Sequence, residues 1–301
     1  MEMNKIQELK KLAAEIRIET IRMIGHLGFG HIGGALSIAD TLAVLYGEVM
    51  RYDVKNPKWA DRDWLVCSKG HGGPAIYSSL AIKGFFPKEE LLTLNTPGTH
   101  LPSHCDRNLT TGIDMTTGSL GQGSSLAVGV ALGNRLSGRN SYTYLILGDG
   151  ELQEGQIWEA VMFSAQKKLD NLIAFVDYNK KQLDGYTKDI NDLGDVKAKF
   201  ESFGWHGQEV DGSDVEQIIN AIENAKAAKG QPSVIVLHTV KGKGAAFVEN
   251  ELSNHHMVVS KEKAEEAIKI LQEELESMTI NNCHVLQSNA EGMTIDNCHA
   301  L

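Results

Sequence analysis

The stretch from Tyr144 to Asn179 limits the fold more than any other part of the chain. Leu145, Ile146 and Leu147 form a short apolar run that ends at Gly148-Asp149-Gly150. A helical pattern follows, and a second apolar run, Leu172 to Val176, ends at Asp177-Tyr178-Asn179. Two strands would thus each deliver one oxygen donor, Asp149 and Asn179, at their carboxyl ends. In an open parallel sheet that edge is where ligands bind. Glycines beside the acid allow close backbone approach, so the pattern suits a hard cation together with a diphosphate. The plainer reading is a glycine turn after a buried strand, with Asp149 capping the helix that follows.

Short β-rich runs alternate with helical patterns elsewhere, which predicts an α/β fold with a mainly parallel sheet sandwiched by helices. Strands are expected at residues 64–68, 142–147, 172–177, 208–210 and 233–239. Helices are expected near residues 4–26, 37–49, 74–83, 121–137, 155–168, 214–228 and 260–277. No linker rich in Pro, Gly or Ser divides residues 1–275, so they read as one domain, with residues 276–301 as a tail. In that tail Met278-Thr279-Ile280-Asn281-Asn282-Cys283-His284-Val285-Leu286 nearly recurs as Met293-Thr294-Ile295-Asp296-Asn297-Cys298-His299-Ala300-Leu301. Two Cys-His pairs raise the question of zinc, although the dipeptide spacing is a poor ligand signature. The same repeat fits a short edge strand or a surface packed on a partner.

Charge and cysteine usage narrow the function classes. Lys and Arg number 29 against 39 Asp and Glu, a formal net charge of −10, which argues against a sequence-independent grip on nucleic acid or anionic membrane. Four cysteines, Cys67, Cys105, Cys283 and Cys298, do not resemble a disulfide framework. The amino terminus opens into an amphipathic pattern, Leu9, Leu12, Ile16, Met23 and Leu27, with no apolar signal core and no membrane-length run. A cytoplasmic location is expected.

Four histidines sit in Gly- or Ser-rich loops. His31 lies in Gly30-His31-Ile32-Gly33-Gly34 and His71 in Ser68-Lys69-Gly70-His71-Gly72. His104 lies in Pro102-Ser103-His104-Cys105-Asp106, and His256 follows Asn254-His255. A neutral imidazole can donate or accept a proton near neutral pH, so four of them beside a diphosphate motif point to catalysis. Between them, Thr116-Thr117-Gly118-Ser119-Leu120-Gly121-Gln122-Gly123 places small residues before a helix, whose amino terminus favours an anion.

Gly148-Asp149-Gly150 followed by Asn179 resembles the thiamine-diphosphate motif, and its flanks resemble transketolase in particular. The resemblance covers roughly residues 5 to 260 and implies the diphosphate-binding domain of the thiamine-diphosphate fold. By that likeness Asp149, Asn179 and the main-chain oxygen of Lys181 would hold a magnesium or calcium ion on the cofactor's phosphates. Tyr178 replaces the first Asn of the family's pair, which leaves the ligand position intact. Gly118, Leu120, Gly148, Gly150 and Glu151 would lie against the cofactor, with His71 and His256 also contacting it. His31, His71, His104 and His256 would form the catalytic set, His104 at the hydroxymethyl end of the donor and His31 with His256 in proton transfer. The chain reads His255-His256-Met257 where the family usually has His-Gly, so either imidazole could face inward. Cys105 likewise replaces a proline after the third histidine. Glu154 matches a glutamate at the subunit interface that links two cofactor sites, while its position also suits a helix-terminal acid.

The activity so implied is transfer of a two-carbon ketol unit from a ketose phosphate to an aldose phosphate, in carbohydrate metabolism of the pentose-phosphate type. Family members carry a further pyrimidine-binding domain, which supplies the glutamate that activates the cofactor, and a carboxyl-terminal domain. Both are expected here on a separate subunit, in a heterotetramer. Rival readings are a deoxyxylulose phosphate synthase, the α subunit of a 2-oxo acid dehydrogenase, or a non-catalytic assembly subunit. The run Glu151 to Gly155 follows the transketolase form, and His104 is not expected in the dehydrogenase.

Overall fold

In the computed structural model the main sheet has five strands, four on short apolar runs bounded by turn residues and one, at the edge, on the polar run His206–Asp211. They are β1 (Trp64–Cys67), β2 (Thr143–Gly148), β3 (Leu172–Tyr178), β4 (His206–Asp211) and β5 (Ser233–His238). Residues 3–289 are described, those from 279 onward by their backbone alone. The five strands are parallel and lie in the order β1-β2-β3-β5-β4. The register sets Gly148 opposite Asp177 and Tyr178 opposite His238, so the ends of β2, β3 and β5 are level.

Side chains alternate across a strand, and here both faces are apolar because both are covered. The principal helices are α1 (Met3–Leu27), α2 (Ala39–Val44), α3 (Gly73–Ile82), α4 (Gln122–Leu136), α5 (Gly155–Gln166), α6 (Val196–Ser202), α7 (Val215–Ala227) and α8 (Lys261–Asn289). On one face Tyr144, Ile146, Ile173, Phe175 and Ile235 pack against residues of α1, α2, α3 and α7. On the other, Leu145, Leu147, Ala174, Val176 and Val234 pack against α4, α5 and α6. A third cluster joins α1, α3 and α8, where Gly25 lets the helices meet: a Cβ there would lie 2.5 Å from that of Ala264. Capping follows the sequence, with Asp195 accepting from Ala198 N–H and Asp214 from the N–H groups of Glu216 and Gln217.

All five expected strands form, within a residue or two of the expected bounds. The helix expected over residues 37–49 is broken into α2 and a π turn, Leu45–Val49, and α6 was not foreseen. The helix expected to end near residue 277 instead continues through the first copy of the tail repeat, which is therefore helical and adds no strand. The remaining tail, including both Cys-His side-chain pairs, lies outside the described residues. No helix among the described residues is long and apolar enough to cross a membrane.

Candidate functional site

Four neighbouring strands, β1, β2, β3 and β5, release their loops at one edge of the sheet. These carry Ser68-Lys69-Gly70-His71, Gly148-Asp149-Gly150-Glu151, Asp177-Tyr178-Asn179 and Thr239-Val240-Lys241. Together they enclose a cavity of about 260 Å³. Of the residues expected from sequence, His71, Leu120, Gly148, Asp149, Gly150, Glu151, Glu154, Asn179 and Lys181 line it. His31, His104, His256 and Gly118 are not on its wall but lie beside it, as the ring contacts below show.

The cavity floor is built from buried charges. Asp177, last of the inward-facing residues of β3, is 0 % exposed and Lys69 is 1 % exposed. Lys69 Nζ donates to Asp177 Oδ2 at 2.5 Å and to the Gly34 carbonyl at 2.7 Å. Ser37 Oγ and Asn179 Nδ2 donate to the same carboxylate at 2.7 and 2.9 Å, and Thr239 Oγ1 to its other oxygen. Burial alone would raise the Asp177 carboxyl, but the Lys69 ammonium and these hydrogen bonds outweigh it and hold it below its ordinary value. Asp149 has the opposite balance. Burial, with the Asp177 charge nearby, pushes it up to about 7 despite donations from the N–H groups of Lys180 and Gly150. Glu151 is also raised by burial, and its carboxylate is occupied by Ser68 Oγ, Gly121 N–H at 2.9 Å and Gly148 N–H at 3.1 Å. It therefore ties the glycine turn to β1 and to the start of α4.

Lys241 enters from the β5 side. Burial draws it down to about 8, although Asp149 opposes that shift. Its Nζ donates to the Lys181 carbonyl at 2.9 Å and lies 3.2 Å from His255 Nδ1. Thus one of the three oxygens expected to face a metal already meets a cation. The set offered by Asp149, Asn179 and Lys181 contains only oxygens, which suits a hard divalent ion completing its shell from phosphate or water. Among the described residues, Asn179 Oδ1 is engaged only by Lys181 N–H at 3.1 Å. The residues present fit both a magnesium- or calcium-type ion and an anionic group beside it.

Five imidazoles stand over the floor. His31 is the hub, with ring centroids 4.6 Å from His256, 5.3 Å from His104, 5.5 Å from His255 and 5.6 Å from His71. His71 and His255 are 4.6 Å apart. Burial, followed by charges on His256, His104 and Lys241, draws His31 down to about 4. Burial and then Lys241 draw His255 down to about 3, and burial with Lys69 puts His71 well below its ordinary value. His104 is lowered by burial. Near pH 7 these four are neutral, able both to donate and to accept.

Of the tandem pair, His255 lines the cavity, while His256 is exposed at the rim between His31 and the Phe29 ring, 5.7 Å from the latter. The loop carrying His104 closes on that carrying His71 at Gly70, where a Cβ would meet Gly118 N and Thr117 O at 2.8 Å. Glu154 is exposed at the cavity edge, beside the turn that starts α4. Sequence reasoning missed Lys69, Asp177 and Lys241, and left His255 open as the alternative to His256. An acid closing a fully apolar strand, Val176-Asp177, was the signal that a buried cation had to exist.

Known proteins share both sequence and overall fold with this chain. Residues 8–283 match the family described as transketolase, thiamine diphosphate binding domain. The chain is 54 % identical over 267 residues to the 6-deoxy-6-sulfo-D-fructose transketolase subunit SqwG of Clostridium sp. (strain MSTE9), covering 89 % of this chain and 97 % of that one. It is 35 % identical over 278 residues to an apulose-4-phosphate transketolase subunit of Phocaeicola vulgatus, covering 92 % and 99 %. Among solved structures it superposes on the transketolase of Campylobacter jejuni with a TM-score of 0.83 and 31 % identity, over 90 % of this chain and 43 % of that one. The chain thus spans less than half the length of that solved enzyme.

Proposed function

Because the chain belongs to the transketolase family, matching the thiamine diphosphate-binding domain of its members, we propose that it is the diphosphate-binding subunit of a split transketolase. The family consists of transferases that use thiamine diphosphate with a divalent metal. In this reading a separate subunit supplies the pyrimidine-binding and carboxyl-terminal domains, in a heterotetramer located in the cytoplasm. The assembled enzyme moves a two-carbon ketol unit from a ketose to an aldose phosphate. Similarity to a protein named as a 6-deoxy-6-sulfo-D-fructose transketolase subunit makes a 6-sulfonated ketose the first donor to test beside a ketose phosphate.

The observation that carries the reading is the convergence of five imidazoles above an all-oxygen donor set at the carboxyl edge of the sheet. Thiamine diphosphate, when bound, supplies the carbon nucleophile and electron sink for chemistry beside a carbonyl. Asp149, Asn179 and the Lys181 carbonyl hold the metal, and Lys241 adds a cation facing the diphosphate. Gly148, Gly150, Gly118 and Leu120 give the close walls, and Glu151 fixes the turns that present them. His71 and His255 line the cofactor side of the cavity. His31, standing between His255 and His256, receives and returns the donor hydroxyl proton, and neutral imidazoles can do so without first losing a charge. His104 orients the hydroxymethyl end of the donor, His256 borders the sugar channel, and Glu154 faces a second copy of the site.

The test is reconstitution. The purified chain is assayed for ketol transfer alone and with the candidate partner subunit, using sulfonated and phosphorylated ketoses and pyruvate as donors. Activity that requires the partner and a ketose is the expected result. Turnover by the lone chain would refute the split arrangement, and pyruvate-dependent turnover would move the protein to a different thiamine-diphosphate reaction.

A further inference from the structure

Asn254 is fully buried, precedes both rim histidines, and joins three separate stretches of chain that carry site residues. Its Nδ2 donates to the Lys241 carbonyl at 3.1 Å and to the Val248 carbonyl at 2.8 Å. Two carbonyl acceptors can be met only by the amide nitrogen, so the orientation of this side chain is fixed. Its main-chain carbonyl accepts from Gly33 N–H at 3.2 Å, and the Gly33 carbonyl accepts from Gly242 N–H at 3.0 Å. Contact is so close that a Cβ on Gly33 would lie 2.3 Å from the Asn254 oxygen. The His31 loop, the Lys241 turn and the His255-His256 segment are thereby held at one point, beside the short antiparallel pairing of Phe29-Gly30 with Met257-Val258, which does not reach the Lys241 turn.

We propose that Asn254 is a positioning residue, whose two side-chain hydrogen bonds set the Lys241 ammonium against His255 and the Lys181 carbonyl and so shape the anion-holding wall of the cavity. It touches neither cofactor nor substrate. Its effect passes through Lys241, whose Nζ is 3.2 Å from His255 Nδ1 and 2.9 Å from Lys181 O. An amide is required because any acceptor at this place would oppose two carbonyl oxygens. The inference rests on the cofactor site proposed above.

Asn254→Asp keeps the size of the side chain and removes both donated bonds. Asn171→Asp is the matched control: Asn171 Nδ2 also bridges two carbonyls, Ala131 at 2.9 Å and Ser141 at 3.3 Å, at the opposite end of the sheet. Thiamine diphosphate binding with magnesium is measured by titration calorimetry on the chain assembled with its partner, beside the thermal midpoint of each variant. Asn254→Asp is expected to weaken binding by about tenfold or more, and Asn171→Asp by less than about twofold at a similar loss of midpoint. A crystal structure of the unliganded Asn254→Asp chain should show Lys241 Nζ moved away from His255 Nδ1. Should that variant not fold, Asn254→Ser is used with the same expectations. Cofactor affinity within twofold of wild type, an unmoved Lys241, or an equal loss in the control overturns the proposal. Wild-type protein that binds no thiamine diphosphate overturns the site reading itself, a result distinct from wild-type and variant binding alike.

Discussion

Replacing Lys69 with Met tests the buried ion pair at the floor of the site. The substitution keeps the aliphatic length but removes the only ammonium bonded to Asp177 among the described residues, leaving a carboxylate that is 0 % exposed. Ser37, Thr239 and Asn179 still donate to it, so the charge is solvated by three neutral groups rather than abandoned. Breaking one side of a buried pair costs about 3–5 kcal/mol. At roughly 2–4 °C per kcal/mol for a domain near this size, the thermal midpoint should fall by about 6–20 °C. Asp177→Asn in the same chain removes the stranded charge and should restore at least half of that loss. The pH dependence has a definite sign. In the wild type Asp177 lies below its ordinary 3.8, so its contribution is present above the unfolded value and is lost as acid passes through the folded one. Without Lys69, burial raises the carboxyl, so the penalty belongs to the charged form and is relieved by acidification. The stability gap between wild type and Lys69→Met, followed by urea unfolding, should therefore narrow as pH falls below neutral. A single variant costing under about 1 kcal/mol, or a double variant no more stable than the single, would refute the pairing argument.

Three further outcomes follow from the same geometry. Asp149→Ala or Asn179→Ala should abolish magnesium-dependent cofactor binding in the assembled enzyme, as should chelation of the metal, both read by calorimetry. Because the Asp149 carboxyl is pushed up to about 7, a proton competes with the ion, and affinity should drop roughly tenfold per pH unit below that point. His104→Ala should raise the donor KM while cofactor affinity stays within about twofold, since His104 lies beside His31 and off the cavity wall. Gly70→Ala should cost roughly 1–3 kcal/mol in unfolding because its Cβ meets backbone of residues 117 and 118, whereas Gly129→Ala, with nothing within 4 Å, should gain about 0.5–1 kcal/mol.

The four inner and leading strands were legible because short apolar runs bounded by Gly, Asp and Asn have few other uses in a chain with this alternation, whereas the edge strand His206–Asp211 is polar. Their order was not, since nothing local tells β5 to enter between β3 and β4. Helix α6, Val196–Ser202, escaped notice because its seven residues offer only Val196 and Phe200 to the core. The donor pair Asp149 and Asn179 could be read from two strand ends one βαβ unit apart. Lys69 and Lys241 could not, because a lysine's partner is decided by which loops meet, and these bonds reach 108 and 60 residues along the chain. The choice between His255 and His256 depended on the same tertiary detail. One ring meets Lys241 and the other meets Phe29.

The charges of the floor explain why an oxygen-only donor set belongs there. Lys69 is spent on Asp177, and Lys241 stands near Asp149, with Glu151 as an additional buried carboxyl. His31, His71, His104 and His255 add no positive charge near pH 7, because burial and the lysines keep them neutral. The ammonium groups of Lys69 and Lys241 thus meet the buried carboxyl groups of Asp149, Glu151 and Asp177, and a diphosphate brought in alone would add further negative charge. A divalent ion held by Asp149 would offset that charge and favour the ionised carboxyl. Neutral imidazoles then remain free for proton transfer, whereas protonated ones would bind the diphosphate and be lost as bases. In the proposed site, lysines would supply charge, a metal would meet the phosphates and the uncharged histidines would carry protons, a division that follows from the burial of Lys69, Lys241, His31, His71 and His255.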